Sequence, residues 1–328
     1  MTSKHILICG GAGYIGSHMV RLLKAHGFQP VVFDNFSTGH EQALAPDVKV
    51  IRGDLLDAEA LRKAFAEHDF AAVMHFAGLI IVPESVKEPG RYYSNNVLGT
   101  LNLLEAMRAA GVNRFVFSST AAVYGDPETD TIAEDHPLRP LSPYGRSKLM
   151  IEQTLADYAK AYDFSSVCFR YFNAAGADPS GEIGESHSPE THLIPNILRA
   201  ALGTGPRLTL FGDDYDTPDG TCVRDYIHIL DLCDAHLRAL DHMRDHPGAH
   251  VLNLGNGGGF SVREVLAAAV EVVGRAIPFT MAQRRPGDAS KLVANSAKAH
   301  AALDWKPIYT DIQGIIETAW RWHARQRY

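Results

Sequence analysis

The sequence lacks the marks of several protein classes. Its four cysteines, Cys9, Cys168, Cys222 and Cys233, include no Cys-x-x-Cys pair and no neighbouring histidine at zinc-site spacing, so neither a disulfide framework nor a metal site is expected. Cys9 and Cys168 fall in apolar runs, where a free thiol packs as a small hydrophobe. The set therefore reads as structural thiols in a reducing compartment. No apolar stretch approaches the ~20 residues of a membrane span. The first strand begins at His5, which leaves no room for a signal peptide, so a cytoplasmic protein without a membrane partner is expected. Positive charge is not in excess. A formal net charge of -7 argues against a nucleic-acid partner, although local basic residues can still hold a phosphate. Internal repeats, low-complexity tracts and long linkers are also missing.

What is present is a regular alternation of strand and helix up to about residue 172. Apolar strands are expected at His5–Cys9, Pro30–Phe33, Val48–Ile51, Ala72–His75, Arg114–Phe117 and Ser166–Phe169, with helices at Tyr14–His26, Ala58–Glu67 and Asn95–Ala110. Strands apolar on both faces, separated by helices, imply an α/β fold with a parallel sheet covered on both sides. Right-handed crossovers make this a doubly wound Rossmann sheet. After residue 173 glycine, proline and polar loops dominate, which predicts a smaller α/β domain over residues 173–328. Tyr226–Leu240 reads as a strand–helix unit, and the segment about 223–242 is a candidate to return to the large sheet. The last helix, about 309–325, has Ile312, Ile315, Ile316, Ala319 and Trp320 on one face, a stripe that suits core or a partner surface.

Gly10-Gly11-Ala12-Gly13-Tyr14-Ile15-Gly16 follows the first strand and opens the first helix. Glycine at Gly10 and Gly13 permits a tight turn and lets backbone N–H groups approach a pyrophosphate. Gly16 allows close helix–strand packing, and the helix N-terminus favours negative charge. Asp34 ends the second strand at the spacing of a ribose-binding carboxylate. Accepting from both ribose hydroxyls and repelling a 2′-phosphate, it favours NAD over NADP; a loop-capping role is the plainer alternative. Asp54 either accepts from the adenine amino group or caps the following helix. Phe76-Ala77-Gly78 close the fourth strand with residues suited to lying against a cofactor.

Tyr144 and Lys148 stand at i and i+4, on one face at the start of a helix. Ser118-Ser119-Thr120 closes the fifth strand, at the edge where such sheets bind ligands. A phenol with a pKa of ~10 is too weakly acidic to serve as a base near neutrality. An adjacent ammonium and a positive nicotinamide would lower that value. Alone, a Tyr-x-x-x-Lys pair is more often an exposed helix face. Behind a dinucleotide fingerprint it reads as catalytic, with Thr120 positioning the substrate hydroxyl.

At this point the chain resembles the extended short-chain dehydrogenase/reductase family, and within it the UDP-galactose 4-epimerases. The resemblance runs over nearly the whole length, through Gly10–Gly16, Asp34-Asn35, His75–Leu79, Tyr92–Val97, Ser118–Gly125, Ser142–Met150, Arg170–Asn173, Phe211–His228 and Arg284–Asp288. It implies a UDP-glucose/UDP-galactose 4-epimerase with tightly bound NAD and a rotating 4-keto intermediate. Tyr144 would be the base, Lys148 would bind the nicotinamide ribose, and Thr120 would touch the sugar. The implied cofactor set comprises Gly10, Gly13, Tyr14, Ile15, Gly16, Asp34, Asn35, Asp54, Leu55, Phe76, Ala77, Gly78, Asn95 and Tyr171. Phe172, Asn173, Leu193, Phe211, Arg224, Arg285, Asp288 and Leu292 would meet the UDP-sugar. Arginines suit a diphosphate because their planar fork donates two hydrogen bonds at once.

Two positions depart from parts of the family. Ile80 stands where some members carry a cofactor-binding lysine. Leu292 stands where a bulkier tyrosine restricts some relatives to sugars without an acetamido group, so UDP-N-acetylhexosamines become candidate substrates. A 4-epimerase of a UDP-uronic acid or UDP-pentose is the alternative. A nucleotide-sugar 4,6-dehydratase would need an acid and a base where the chain has Ala121 and Ala122. A non-catalytic NAD-binding regulator is a further reading. The helices Asn95–Ala110 and Lys148–Tyr162 resemble a pair that forms a dimer interface in relatives, with Val97, Leu101 and Leu104 on one face, so a homodimer is expected.

Overall fold

The computed structural model describes residues 4–285 and 288–328. Seven parallel strands form its main sheet: β1 (His5–Cys9), β2 (Gln29–Asp34), β3 (Lys49–Arg52), β4 (Phe70–His75), β5 (Arg114–Ser118), β6 (Ser165–Tyr171) and β7 (Ala249–Leu254). They lie in the order β7-β6-β5-β4-β1-β2-β3. The chain reverses direction across the sheet between β1 and β4, and a crevice opens at the carboxyl ends of such a pair.

Successive residues of a strand face opposite sides, and β1 shows both. Ile6 and Ile8 pack with Met19 and Leu23 of α1 (Tyr14–Ala25) on one side. Leu7 and Cys9 face the other layer. There they meet Leu61 of α2 (Ala58–Glu67), Leu103 and Met107 of α3 (Gly99–Ala109) and Leu155 of α4 (Pro143–Tyr162). All four cysteines are free and buried.

The expected helix from Asn95 is α-helical only from Gly99. Tyr93–Leu98 forms wider π turns, in which Asn96 Nδ2 donates to the Leu79 carbonyl at 3.0 Å and its Oδ1 accepts from Leu79 N–H at 2.8 Å. Leu104 is wholly core, so it does not belong to an outward stripe.

Two features of the second half differ from the reading above and one agrees with it. Strand Tyr226–His228 pairs with Asn173–Ala175 and not with the large sheet. With α5 assigned to Leu193–Leu202, the helix that follows this strand is α6 (Ile229–Asp245), and it does return to the large sheet as expected, its Leu232 and Ala239 joining the layer around α1. Strand β7, not anticipated, then extends the sheet beside β6, with Leu252 opposite Phe169.

The remaining core gathers Ile197 and Leu198 of α5, Val265 of α7 (Val262–Val273) and Ile315 and Ile316 of α8 (Ile312–His323). The stripe of the last helix is therefore core. No helix among the described residues is long and apolar enough to cross a membrane.

One buried ion pair ties α4 to β6. Arg170 Nε donates to Glu152 Oε1 at 3.0 Å, and each side chain is only 4% exposed. Arg170 also donates to the Tyr124 hydroxyl at 3.1 Å, and Tyr124 donates to Asn253 Oδ1 on β7 at 2.5 Å. Breaking such a pair strands a buried charge. Arg170→Met should therefore lower unfolding stability by about 3–5 kcal/mol in urea titration, with much of the loss recovered in Arg170→Met/Glu152→Met.

Candidate active site

The glycine turn lies at the switch point between β1 and β4. Gly10 has φ +77°, and a Cβ there would stand 2.6 Å from Ala77 N. At Gly16 a Cβ would stand 2.1 Å from the Gly10 carbonyl oxygen, so only glycine lets α1 close on the turn. Gly13 is different from the expectation. It has an ordinary extended backbone as the N-cap of α1 and makes no side-chain cap. The first N–H groups of α1 are thus left free of a capping side chain, as an anion site requires. Gly11, passed over in the sequence, is equally constrained, since its Cβ would meet Val32 at 2.6 Å.

From the turn a cavity runs past Asp34, Asn35, Leu55, Phe76, Ala77, Gly78 and Asn95. Asp34 Oδ2 accepts from Ala12 N–H at 2.9 Å and Oδ1 from Phe36 N–H at 2.8 Å. The carboxylate is therefore fixed in direction and keeps lone pairs for two further donors. Asp54 does not cap α2; that role falls to Asp57, which accepts from Glu59 and Ala60 N–H. Asp54 Oδ2 instead accepts from Asn35 Nδ2 at 2.8 Å, which places Asn35, not Asp54, at the cavity wall. These groups fit NAD: an uncapped helix end for pyrophosphate, a glycine cradle, and a carboxylate for the ribose.

A second cavity, of about 390 Å³, adjoins the turn and is walled by Tyr14, Ile15, Gly16, Thr120, Tyr144 and Lys148. Tyr171, Phe172, Asn173, Arg224, Leu292 and Ile80 also face it. Ser142 caps α4, accepting from Gly145 N–H at 3.1 Å, so the helix starts just before Tyr144. Lys148 is 3% exposed, and its ammonium donates to the Ser118 carbonyl oxygen at 2.9 Å, not to the Tyr144 phenol. Burial brings that ammonium down to about 8, with the Glu152 carboxylate acting against the shift. Burial likewise pushes the Tyr144 phenol up, and the hydrogen-bonding Thr120 hydroxyl opposes it. The expected lowering of the phenol by Lys148 is thus not produced by the protein alone, where burial outweighs the Thr120 hydrogen bond. Thr120 Oγ1 accepts from Ala122 N–H at 3.1 Å, which fixes it toward the cavity. Ala121 and Ala122 form the wall beside it and carry no titratable group.

The far end opens into a third cavity lined by Asn173, Leu193, Phe211, Arg224, Arg285 and Asp288. Arg224 is ion-paired with Asp288, and Tyr215 donates to the same carboxylate at 3.3 Å. The Arg285 guanidinium lies 4.1 Å from the Phe211 ring centre. Two cations and the Phe211 ring therefore stand about a cavity that Tyr144 does not line. Every proposed substrate contact borders one of these two cavities. Missed in the sequence were Glu185, His187 and His192, which also face the central one.

The parallel sheet, the glycine turn at its switch point and the Thr/Tyr/Lys set at its carboxyl edge define a dinucleotide-dependent enzyme that acts on a hydroxyl. Residues 6–255 match the model of the NAD dependent epimerase/dehydratase family, and the chain belongs to that family. It is 51% identical over 326 residues to the UDP-glucose 4-epimerase of Rhizobium meliloti, covering 99% of each chain. Among solved structures it is similar to UDP-glucose 4-epimerase from Brucella ovis in complex with NAD, at 46% identity and TM-score 0.94, over 96% of this chain and 97% of that one. It is also similar to the Bifidobacterium longum enzyme in complex with NAD+ and UDP, at 38% identity and TM-score 0.93, over 98% of each.

Proposed function

We propose that the chain is a cytoplasmic UDP-sugar 4-epimerase that interconverts UDP-glucose and UDP-galactose. Residues 1–172 hold NAD and residues 173–328 the UDP-sugar, with α6 and β7 returned to the first part. The observation that carries the reading is the separation of two grips. Thr120 and Tyr144 meet one end of the central cavity, while Arg224, Arg285 and Phe211 stand around the outer one.

The Tyr144 phenolate takes the proton of the 4-hydroxyl, and Thr120 holds that hydroxyl in place. Bound NAD supplies hydride acceptance and return at C4. The Lys148 ammonium lends positive charge beneath the reacting end and is placed to bind the nicotinamide ribose. Arg224 and Arg285 hold the diphosphate through charge-assisted hydrogen bonds. With the diphosphate held by Arg224 and Arg285, the hexose would be free to turn over as a 4-keto sugar and present its other face to the cofactor. Ala121 and Ala122 provide no proton for removal of water across C5 and C6, which disfavours a dehydratase.

Purified protein incubated with UDP-galactose, without added NAD, should yield UDP-glucose on anion-exchange chromatography. No conversion even with NAD added would overturn the reading and favour a UDP-uronic acid or UDP-pentose.

Leu292 borders the central cavity beside Phe172. Leu292→Tyr should reduce turnover of UDP-N-acetylglucosamine at least about tenfold relative to UDP-glucose, as one filled pocket typically does. An unchanged ratio would show that this wall does not select the 2-substituent.

The pair Leu98 and Met150, 50% and 44% exposed, lies on the two helices proposed as the homodimer interface. Tyr158 bridges these helices, donating to Glu105 at 2.6 Å. Met150→Glu should shift the sedimentation of a dimer toward the monomer; an unaffected dimer would place the interface elsewhere.

A further inference from the structure

Outside the groups used above, the loop before α5 carries Glu185-Ser186-His187-Ser188-Pro189-Glu190-Thr191-His192. It folds both carboxylates and both imidazoles into one knot, in which one ligand atom from each lies within 4.8 Å of all the others. His192 Nδ1 stands 2.6 Å from Glu185 Oε1 and 3.3 Å from Glu190 Oε1. His187 Nδ1 stands 3.2 Å from Glu185 Oε1 and 3.7 Å from Glu190 Oε2. A tetrahedral ion with bonds of about 2.0–2.1 Å sets its ligand atoms roughly 3.3 Å apart, in the middle of that range.

The two imidazoles meet the two carboxylates directly. His187 Nδ1, His192 Nδ1 and Glu185 Oε1 are all buried, and none has a hydrogen-bond partner outside the cluster. The carboxylates are as enclosed, at 4% exposure for Glu185 and 2% for Glu190. Among the described residues no lysine or arginine is ion-paired with either. Their cationic partners are the two imidazoles of the knot, and burying carboxylates is costly unless such partners or a metal ion neutralise them. The scaffold nevertheless holds them in place. Glu190 Oε1 accepts from Thr191 and His192 N–H at 2.8 and 2.9 Å. The Glu185 carbonyl oxygen accepts from Trp322 Nε1 of α8 at 2.9 Å.

We propose that Glu185, His187, Glu190 and His192 bind one divalent transition-metal ion, for which zinc is best suited. Two imidazoles and two carboxylates match its borderline character, and four protein ligands mark a closed, structural site. The sequence reading expected no metal because it looked for cysteine spacing, and this Glu-x-His-x-x-Glu-x-His run has none. The site stands between the two grips. Glu185 and His187 border the central cavity, Glu190 borders the outer one, and His192 borders both. His192 is also the residue that leads into α5 and Leu193. The ion would brace the partition between sugar and nucleotide without touching the reacting carbon, so the proposal does not rest on the reaction assigned above.

The test is metal analysis by mass spectrometry on full-length, tag-free protein after gel filtration, paired with thermal unfolding. About one zinc or other first-row divalent ion per chain is expected in the wild type, and less than a tenth of that in His187→Ala/His192→Ala. Because that variant can fail to fold, the wild type is also stripped with dipicolinate. Stripping should lower Tm by roughly 5 °C or more, and Zn²⁺, but not Mg²⁺, should restore it. A metal-free wild type whose Tm ignores added Zn²⁺ overturns the proposal. So does stoichiometric metal that persists in a folded double variant.

Discussion

Tyr144→Phe should reduce turnover of UDP-galactose by roughly 10²–10⁴-fold, the usual contribution of a positioned acid–base group, while UDP binding by calorimetry stays within a factor of about two. The variant removes one oxygen from a cavity wall and leaves Arg224, Arg285 and Asp288 in place, so only the proton transfer is lost. The wild-type pH profile follows from the same groups. Burial holds the phenol above its usual value, so the base form grows as pH rises and activity climbs on the acid side. The Lys148 ammonium, brought down to about 8 by burial, is lost above that pH and takes its positive charge from beneath the site. A variant that keeps turnover within tenfold of the wild type would remove Tyr144 from the mechanism.

Lys148→Met should abolish most activity and yet stabilise the cofactor-free protein. Lys148 is a buried cation whose folded pKa lies below the unfolded value of 10.5. Between those two values the unfolded state binds more protons, so wild-type stability rises with pH through that window. At pH 7 the buried charge costs roughly 3 kcal/mol. Removing it also strands the Ser118 carbonyl oxygen, at about 1–3 kcal/mol. A net gain of about 1–2 kcal/mol is expected at pH 7, disappearing above pH ~10.5 where both states hold a neutral amine. Urea unfolding at the two pH values measures it. A variant less stable at pH 7, or an equal difference at both, would mean that the ammonium is not held against its solvation.

The large sheet was legible because its strands are apolar on both faces and its helices carry a single apolar stripe. Strand β7 was not, since Ala249 is exposed and His250 and Val251 only half-buried, so that its first half lacks the two-sided apolar pattern of the other strands. The π turns at Tyr93–Leu98 were hidden for another reason: periodicity registers a helix, but not the side chain of Asn96 reaching to Leu79. In the site, Gly10 and Gly16 were readable from spacing. Gly11 was not, because its constraint comes from Val32 on a neighbouring strand. Asp54 showed the limit of local signals, as Asp57 three residues on makes the better cap. The Arg224–Asp288 pairing spans 64 positions, and no local pattern contains it. The Glu185–His192 knot was local in sequence and still missed, because its donors are carboxylates and imidazoles and not thiolates.

The central claim is that hydrogen leaves C4 of the sugar and returns to the same carbon. UDP-galactose carrying deuterium at C4 should be converted in ordinary water and the product examined by NMR. The account predicts UDP-glucose with deuterium retained at C4 and none gained from solvent. Deuterium washed into water, or found at C6, would contradict it: the first would mean that C4 exchanges its hydrogen as a proton, the second that the enzyme is a dehydratase.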